Sequence, residues 1–348
     1  MLKKNIFQKL KNTNKVFIIA EAGSNHLKNL NRAYKLVDIA KSSGADAIKF
    51  QSFKADEIAV KNLKYNKIKN KFRKYSNNLF DFYQKFELPD YFNLKLHDYC
   101  KKKGIIFMTS VFGDNSFEIA KKLSPIIKIA SFESNYFELF DKLIKVKKPI
   151  IISTGCSYEK DIIKIKNFFK KKKYTNFSIL HCGSSYPLEL NQVDLNYIIR
   201  LKQIFPNNII GYSDHTKNIS TSVAAATLGA KIIEKHFTIS RDDGAPDSFF
   251  SLEKHELKRM VTEIRETQKV LGKPKKIIYK SISIMQKGRR SYYAQKNLKK
   301  GTIIRAGDFK ALRPHVKSSL SIDFYFKFLG KKLKKNINFL DPLKSEHI

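Results

Sequence analysis

The 348-residue chain carries only three cysteines, Cys100, Cys156 and Cys182, at unrelated spacings, so it has no disulfide framework and no zinc-ribbon pattern. No apolar run is long enough to span a bilayer, and the first residues, Met1 to Lys15, lack the apolar centre of a secretion signal. Zinc-finger spacing, aromatic RNA-binding motifs and basic zippers are missing as well. Acidic residues are scarce: 31 against 68 basic ones leave a formal net charge of +37. That excess invites a polyanion partner. The lysines are scattered in short groups such as Lys101 to Lys103 and Lys171 to Lys173, however, and read as solvated faces. Neither nucleic acid nor a membrane is expected as a partner, although a positive field would draw an anionic substrate. A hydrophobic content of 42% with 12% aromatics suffices for a packed core. The expectation is a cytoplasmic protein with one large domain and one small one.

What is present is one motif repeated. Short apolar runs of strand length occur at Val16 to Ala20, Ala47 to Gln51, Ile105 to Ser110, Ile126 to Ser131, Pro149 to Thr154, Phe177 to Cys182, Asn208 to His215 and Ile232 to His236. Amphipathic helical stretches alternate with them, such as Phe137 to Val146 and Glu159 to Lys171, while 54–87 reads as a long polar insertion. Eight strand and helix units match a (β/α)8 TIM barrel. An open doubly wound sheet is the competing architecture, but no glycine-rich dinucleotide loop follows the first strand. Residues 1–275 are assigned to the barrel, 276–287 to a linker, and 288–348, with short strands and frequent turns, to a small β-rich module.

Polar residues concentrate at the strand ends. Glu21, Lys49, Gln51, Ser110, Lys128, Ser131, Ser153, His181, His215, Glu234 and His236 all lie at or just beyond C-terminal tips, which in a barrel converge on one mouth. Two buried lysines from separate strands, Lys49 and Lys128, need a compensating anion. With the hydroxyls of Ser110, Ser131, Ser153 and Ser184 they could cradle a phosphate. His215 and His236 could hold a divalent metal with open positions, with Glu234 on the same strand face as His236. Two hydrogen-bonded core histidines are the alternative reading.

The segments Phe17 to His26, Ile48 to Gln51, Lys128 to Ser131, Ile152 to Gly155, Leu180 to Cys182, Tyr186-Pro187, Ser213 to Thr216 and Glu234 to Phe237 together resemble the bacterial sialic acid synthase family. The resemblance runs from Phe17 to about Phe328, with Leu312-Arg-Pro314 similar to that family's antifreeze-like (SAF) domain. It implies an enzyme, a transferase that condenses phosphoenolpyruvate with an N-acetylated hexose to give a nonulosonic acid and phosphate. By position, Lys49, Ser110, Lys128, Ser131, Ser153 and Ser184 would hold phosphoenolpyruvate. His215 and His236 would bind manganese, or magnesium or cobalt. Glu21, Gln51, Tyr186 and Asp247 would contact the sugar, with Glu234 as acid/base. In a homodimer, Arg313 would reach the partner's acceptor site.

The chain departs from the sialic pattern at Thr109-Ser-Val-Phe112, at Ser184 and at Ala130-Ser-Phe-Glu133, the last closer to the pseudaminic acid branch. The loop Gly244 to Asp247 is closer to the sialic or legionaminic branch, so the motifs leave the acceptor hexose open. Two rivals stand beside this reading: a condensing barrel that takes a phosphorylated tetrose or pentose, and a polyanion- or carbohydrate-binding protein.

Overall fold

The computed structural model describes residues 6–61, 76, 78–272, 284 and 288–348. The chain separates into two compact units, Met1–Gly272 and Lys273–Ile348. In the first, eight parallel strands close into a barrel in sequence order: β1 (Phe17–Gly23), β2 (Ala47–Gln51), β3 (Ile106–Val111), β4 (Ile127–Ile129), β5 (Ile150–Ser153), β6 (Phe177–Cys182), β7 (Ile209–Asp214) and β8 (Ile232–His236). The helices of this unit are α1 (Ile6–Lys11), α2 (Leu30–Ser42), α3 (Ala55–Ile58), α4 (Leu79–Phe86), α5 (Asp90–Lys103), α6 (Asp114–Leu123), α7 (Phe137–Val146), α8 (Glu159–Lys171), α9 (Tyr197–Ile204), α10 (Ser220–Thr227) and α11 (Lys254–Leu271). None of the described helices is long and apolar enough to cross a membrane.

Strand parity sorts the side chains into two cores. Ile18, Ile48, Phe50, Ile129, Ile179 and Ile233 face outward and pack with the apolar stripes of the helices. Ile19, Ala47, Met108, Ile151, Leu180 and Ile232 fill the barrel interior, a packed layer rather than a pore. Each such buried isoleucine, leucine or methionine side chain contributes about 2 kcal/mol from the area removed from water. Helix α1, in the stretch read only as lacking a signal sequence, adds Ile6, Phe7 and Leu10 to this inner core. It packs among residues from the N-terminal ends of the strands, such as Phe17, Ile126 and Ile209.

The insertion at 54–87 is less polar than expected. It holds α3 and α4, whose Ile58, Phe82, Tyr83 and Phe86 join Phe53 and Phe112 in a separate apolar cluster. The reason is the helical spacing of the aromatics, which puts Phe82 and Phe86 one turn apart with ring centroids 5.2 Å from each other. Residues 62–75 and 77 of the insertion lie outside the described residues, as does the 276–287 linker apart from Ile284. The second unit contains β9 (Ser291–Ala294) antiparallel to β10 (Phe309–Leu312), the single-turn helix α12 (Tyr325–Phe328) and several isolated bridges. Its core is built from Tyr292, Leu298, Ile304, Phe309, Phe328, Leu333 and Leu343.

Candidate active site

Above the apolar layer the inward positions turn polar. The next residue of the same parity is Glu21 on β1, Lys49 on β2, Ser110 on β3, Lys128 on β4, Ser153 on β5, Cys182 on β6, Ser213 on β7 and Glu234 on β8. Register makes neighbours of Glu21 and Lys49, of Ser110 and Lys128, and of Ser213 and Glu234. The result is a buried ring of two lysines and two carboxylates. Lys49 Nζ lies 2.8 Å from Glu21 Oε2 and 3.6 Å from Glu234 Oε1, and donates to Ser110 Oγ at 2.9 Å. Lys128 Nζ is also 3.6 Å from Glu234 Oε1 and donates to the Ile129 carbonyl at 3.0 Å. Ser213 donates to Glu234 at 3.3 Å, and Gln51 donates to Glu21 Oε1 at 2.7 Å.

The compensation that Lys49 and Lys128 require is therefore supplied by the protein itself. Burial works against the Lys49 charge, but Glu21 and Glu234 outweigh it and hold the ammonium above its ordinary range. Burial likewise opposes the Glu234 charge, and Lys128 and Lys49 together hold its carboxyl below the usual range. Lys128 is pushed down by burial, only partly offset by Glu234. Burial raises the Glu21 carboxyl, with Lys49 only partly opposing it. Two lysines against two carboxyls balance the layer formally, and an incoming anion competes with the carboxylates for the lysines.

Three hydroxyls gather around the β5 loop. Ser131 Oγ accepts from the Gly155 amide at 3.1 Å, Ser184 Oγ donates to the Gly155 carbonyl, and the Ser153 hydroxyl is buried without a partner. A Cβ at residue 155 would come within 2.9 Å of Ser131 Oγ and 3.2 Å of the Gly183 carbonyl, so glycine lets these loops approach.

The imidazoles of His215 and His236 sit on the next level, with ring centroids 5.6 Å apart. His215 Nδ1 donates to the Gly183 carbonyl at 2.7 Å, which in the neutral ring leaves the lone pair on Nε2, 3.8 Å from Cys182 Sγ. His236 Nδ1 is buried without a hydrogen-bond partner, 3.9 Å from Asp247 Oδ2. Burial holds the His236 imidazole well below its ordinary pKa, so it is neutral. An orphaned, neutral, buried nitrogen beside a second imidazole fits a divalent ion. Among the described residues no group of three or more His, Cys, Asp and Glu side chains is gathered to hold an ion by itself. An ion on the two imidazoles would keep its other positions for water and substrate.

The loop between β8 and α11 carries Asp247, which accepts from the Ser24 amide at 3.2 Å. It is tied down by the Arg32–Asp243 and Arg241–Glu256 ion pairs. Gly23 has φ +50°, and a Cβ there would overlap the Asp247 carboxylate, so Gly23 makes room for this loop. The Tyr186 ring lies 4.1 Å from that of His215. These residues open onto a cavity of about 740 Å³ whose walls include Gln51, Glu133, Ser184, Tyr186, His236 and Asp247.

Of the residues singled out from sequence, those of the first unit other than His181 converge as described. Arg313 belongs to the second unit, where its Nε donates to the Gly288 carbonyl at 2.6 Å. His181 does not join the mouth. It has outward parity, its Nε2 lies 2.8 Å from the Val193 carbonyl, and its ring stacks on Tyr212. Three residues escaped the sequence reading. Ser213 and Cys182 share the inward parity of Glu234, a signal that was available, and Cys182 Sγ lies 3.7 Å from His215 Nδ1. Glu133 follows β4 on a 3-10 turn, Ser131–Glu133, which strand parity does not reach.

Burial raises the Glu133 carboxyl from 4.5 to about 7, with Lys128 and Lys49 only partly opposing it. An acid whose folded pKa is raised favours folding while protonated. Its contribution is full below pH 4.5 and is lost as the pH rises through 7, on the order of 3 kcal/mol across that window. Glu133→Gln is therefore expected to flatten the fall in stability between these limits. Urea denaturation of both proteins across the window checks this; parallel curves would count against it.

A closed (β/α)8 barrel with ionisable and hydroxyl side chains converging at its C-terminal mouth is the architecture of a barrel enzyme. The NeuB family model matches residues 36–276 and the SAF domain model matches residues 289–348. The chain belongs to the NeuB family. It is 36% identical over 331 residues to the pseudaminic acid synthase of Campylobacter jejuni, covering 95% of this chain and 96% of that one. It is 39% identical over 329 residues to that organism's N,N'-diacetyllegionaminic acid synthase, covering 92% and 97%. Among solved structures, the spore coat polysaccharide biosynthesis protein SpsE of Bacillus subtilis superposes with a TM-score of 0.65 at 30% identity, covering 96% and 95%. The N-acetylneuraminic acid synthetase of Leptospira borgpetersenii, in complex with citrate, gives 0.68 at 32% identity, covering 79% and 92%.

Proposed function

We propose that this protein condenses phosphoenolpyruvate with the open-chain aldehyde of an N-acetylated hexose, releasing inorganic phosphate and a nonulosonic acid. The observation that carries the reading is the two-level mouth. Lys49 and Lys128 lie buried beside hydroxyls and carboxylates in one layer, and a pair of imidazoles sits one level further out at the ends of β7 and β8. Relatives named as pseudaminic and diacetyllegionaminic acid synthases support the same class of product.

In this reading Lys49, Lys128, Ser110, Ser131, Ser153 and Ser184 bind and orient phosphoenolpyruvate by charge-assisted hydrogen bonds. Gln51, Tyr186, Asp247 and Glu21 hold the sugar so that its aldehyde carbon faces C3 of the enol. A divalent ion held by His215 and His236, manganese or alternatively magnesium or cobalt, would supply Lewis-acid polarisation of a carbonyl. The new bond joins C3 to the aldehyde carbon, and the aldehyde oxygen takes a proton and becomes a hydroxyl. Water adds at C2, the C2–O bond to phosphorus breaks, and phosphate leaves with the bridging oxygen. Glu234, touching both lysines, and Glu133, with a pKa of about 7, are the groups able to hold or move these protons. The protein acts as a homodimer, and Arg313 of the partner subunit meets the acylamino group.

Phosphoenolpyruvate labelled with heavy oxygen at the bridging position tests the bond assignment. The label is expected in the released phosphate. Label retained in the sugar acid would mean that the O–P bond breaks and would overturn this reading.

A further inference from the structure

The fold gathers lysines that are scattered along the chain. Every barrel strand is parallel to its neighbours, so the eight stretches that lead into the strands all lie at the end opposite the mouth. These stretches, 9–16, 41–46, 101–105, 121–126, 145–149, 170–176, 202–208 and 227–231, hold 18 lysines, no arginine and one carboxylate, Asp46. Among the described residues, the stretches that leave the strands carry more carboxylates than cations, Asp114, Glu133, Glu159, Asp194, Asp243 and Asp247 among them. Charge is therefore polarised along the barrel axis, positive at the strand-entry end.

Part of the excess serves local structure. Lys41 donates to the Gly104 carbonyl at 2.8 Å, Lys202 to that of Leu228 at 2.6 Å and Lys231 to that of Thr13 at 2.7 Å. Such cations tie neighbouring turns together and meet the carbonyl ends of helices. Lys15 pairs with Asp46 at 2.8 Å, and Lys172 with Asp141 at 2.6 Å. Lys101, Lys102, Lys122, Lys145, Lys170 and Lys171 are exposed and have no carboxylate at ion-pair distance among the described residues. Lys147 and Lys173 stand at φ +56° and +53° after α7 and α8, left-handed positions where glycine costs least. Local folding alone does not account for lysines at these places.

We infer that the strand-entry end of the barrel docks on the headgroups of an anionic lipid bilayer. Arginine's planar fork is the group that pairs with single phosphates in two-point fashion and stacks on bases, and this face has none; lysine acts as a point charge. A face of point charges matches a sheet of charge, which an anionic bilayer presents. Each lysine brought close to such a sheet strengthens binding by about fivefold. The carboxylate-rich mouth is repelled by the same sheet and so faces solvent, open to substrate. The contact is peripheral and requires no spanning helix. The sequence expectation that no membrane takes part therefore holds for spanning and not for this face.

The test is sedimentation of the full-length protein with vesicles of phosphatidylcholine alone, and of phosphatidylcholine and phosphatidylglycerol in equal parts. Binding is expected to the anionic vesicles only, and to be lost at high salt, where screening acts within about 3 Å. Two triple variants remove the same charge from exposed positions at opposite ends. Lys102→Gln with Lys145→Gln and Lys171→Gln alters the strand-entry end, and Lys160→Gln with Lys217→Gln and Lys254→Gln alters the mouth end. The first is expected to weaken vesicle binding by about 100-fold and the second by less than about threefold. Equal losses would assign the binding to net charge and overturn the inference, as would no sedimentation with anionic vesicles. Tighter binding to double-stranded RNA of random sequence than to these vesicles would overturn the choice of partner.

Discussion

Lys49→Met is expected to lower kcat/KM by at least 10²- to 10³-fold, the range for losing one charged donor at a reacting centre. The Lys49 side chain is 3% exposed, and it is the cation nearest Glu21, while Glu234 is shared with Lys128. Without it the layer holds two carboxylates against one ammonium, which repels a phosphate dianion at the place meant to receive it. The same change leaves a buried carboxylate uncompensated, a loss of about 3–5 kcal/mol of stability near neutral pH. Protonation of the carboxyl would relieve part of that loss. The stability deficit is therefore expected to narrow on acidification, while the activity deficit persists because the donor is still gone. Steady-state kinetics with urea denaturation at two pH values separates these effects. Wild-type kcat/KM in a folded Lys49→Met protein would remove Lys49 from the site.

The second large effect is expected at Lys235, one residue before His236 and pointing the other way. Lys235 Nζ pairs with Asp214 Oδ2 at 3.0 Å across adjacent strands, both side chains being almost wholly buried. It also donates to the carbonyls of Thr216, at 2.5 Å, and Asn218, at 2.9 Å. Asp214 accepts from Thr221 Oγ1 at 2.7 Å and Ser222 Oγ at 2.6 Å. The pair thus locks the turn after β7, and its members precede the two imidazoles in sequence. Lys235→Met is expected to cost about 3–5 kcal/mol, because an unpaired buried carboxylate remains. Asp214→Asn with Lys235→Met is expected to cost less than the two single changes added together. Manganese affinity, read by calorimetry well below the melting temperature, is expected to fall by about 10- to 100-fold in Lys235→Met. Unchanged affinity would confine the pair to a structural role.

Much of this was legible before any coordinates. Eight apolar runs of strand length, each ending in ionisable residues, carry the barrel, and period-two parity puts Glu234 and His236 on one face. Lys49 and Lys128 were legible as buried cations in need of an anion. Their partners were harder to see, because Glu21 lies 28 residues from Lys49 and Glu234 lies 106 residues from Lys128. Only closure of β1 onto both β2 and β8 brings these groups together. His181 was misread because proximity to a strand end was weighed without its parity. Glu133 stayed hidden because a 3-10 turn obeys neither strand nor helix period. The apolar cluster of Phe53, Phe82, Phe86 and Phe112 is hidden in the average polarity of 54–87, while the aromatics recur at helical spacing on α4.

The central claim is tested most directly by phosphate release from phosphoenolpyruvate by the purified full-length protein with manganese, in the presence and absence of an acetamido hexose. Release that requires the sugar, with one phosphate formed for each new sugar acid, is the predicted result. Phosphate release at the same rate without any sugar, or none with every sugar tried, would contradict it.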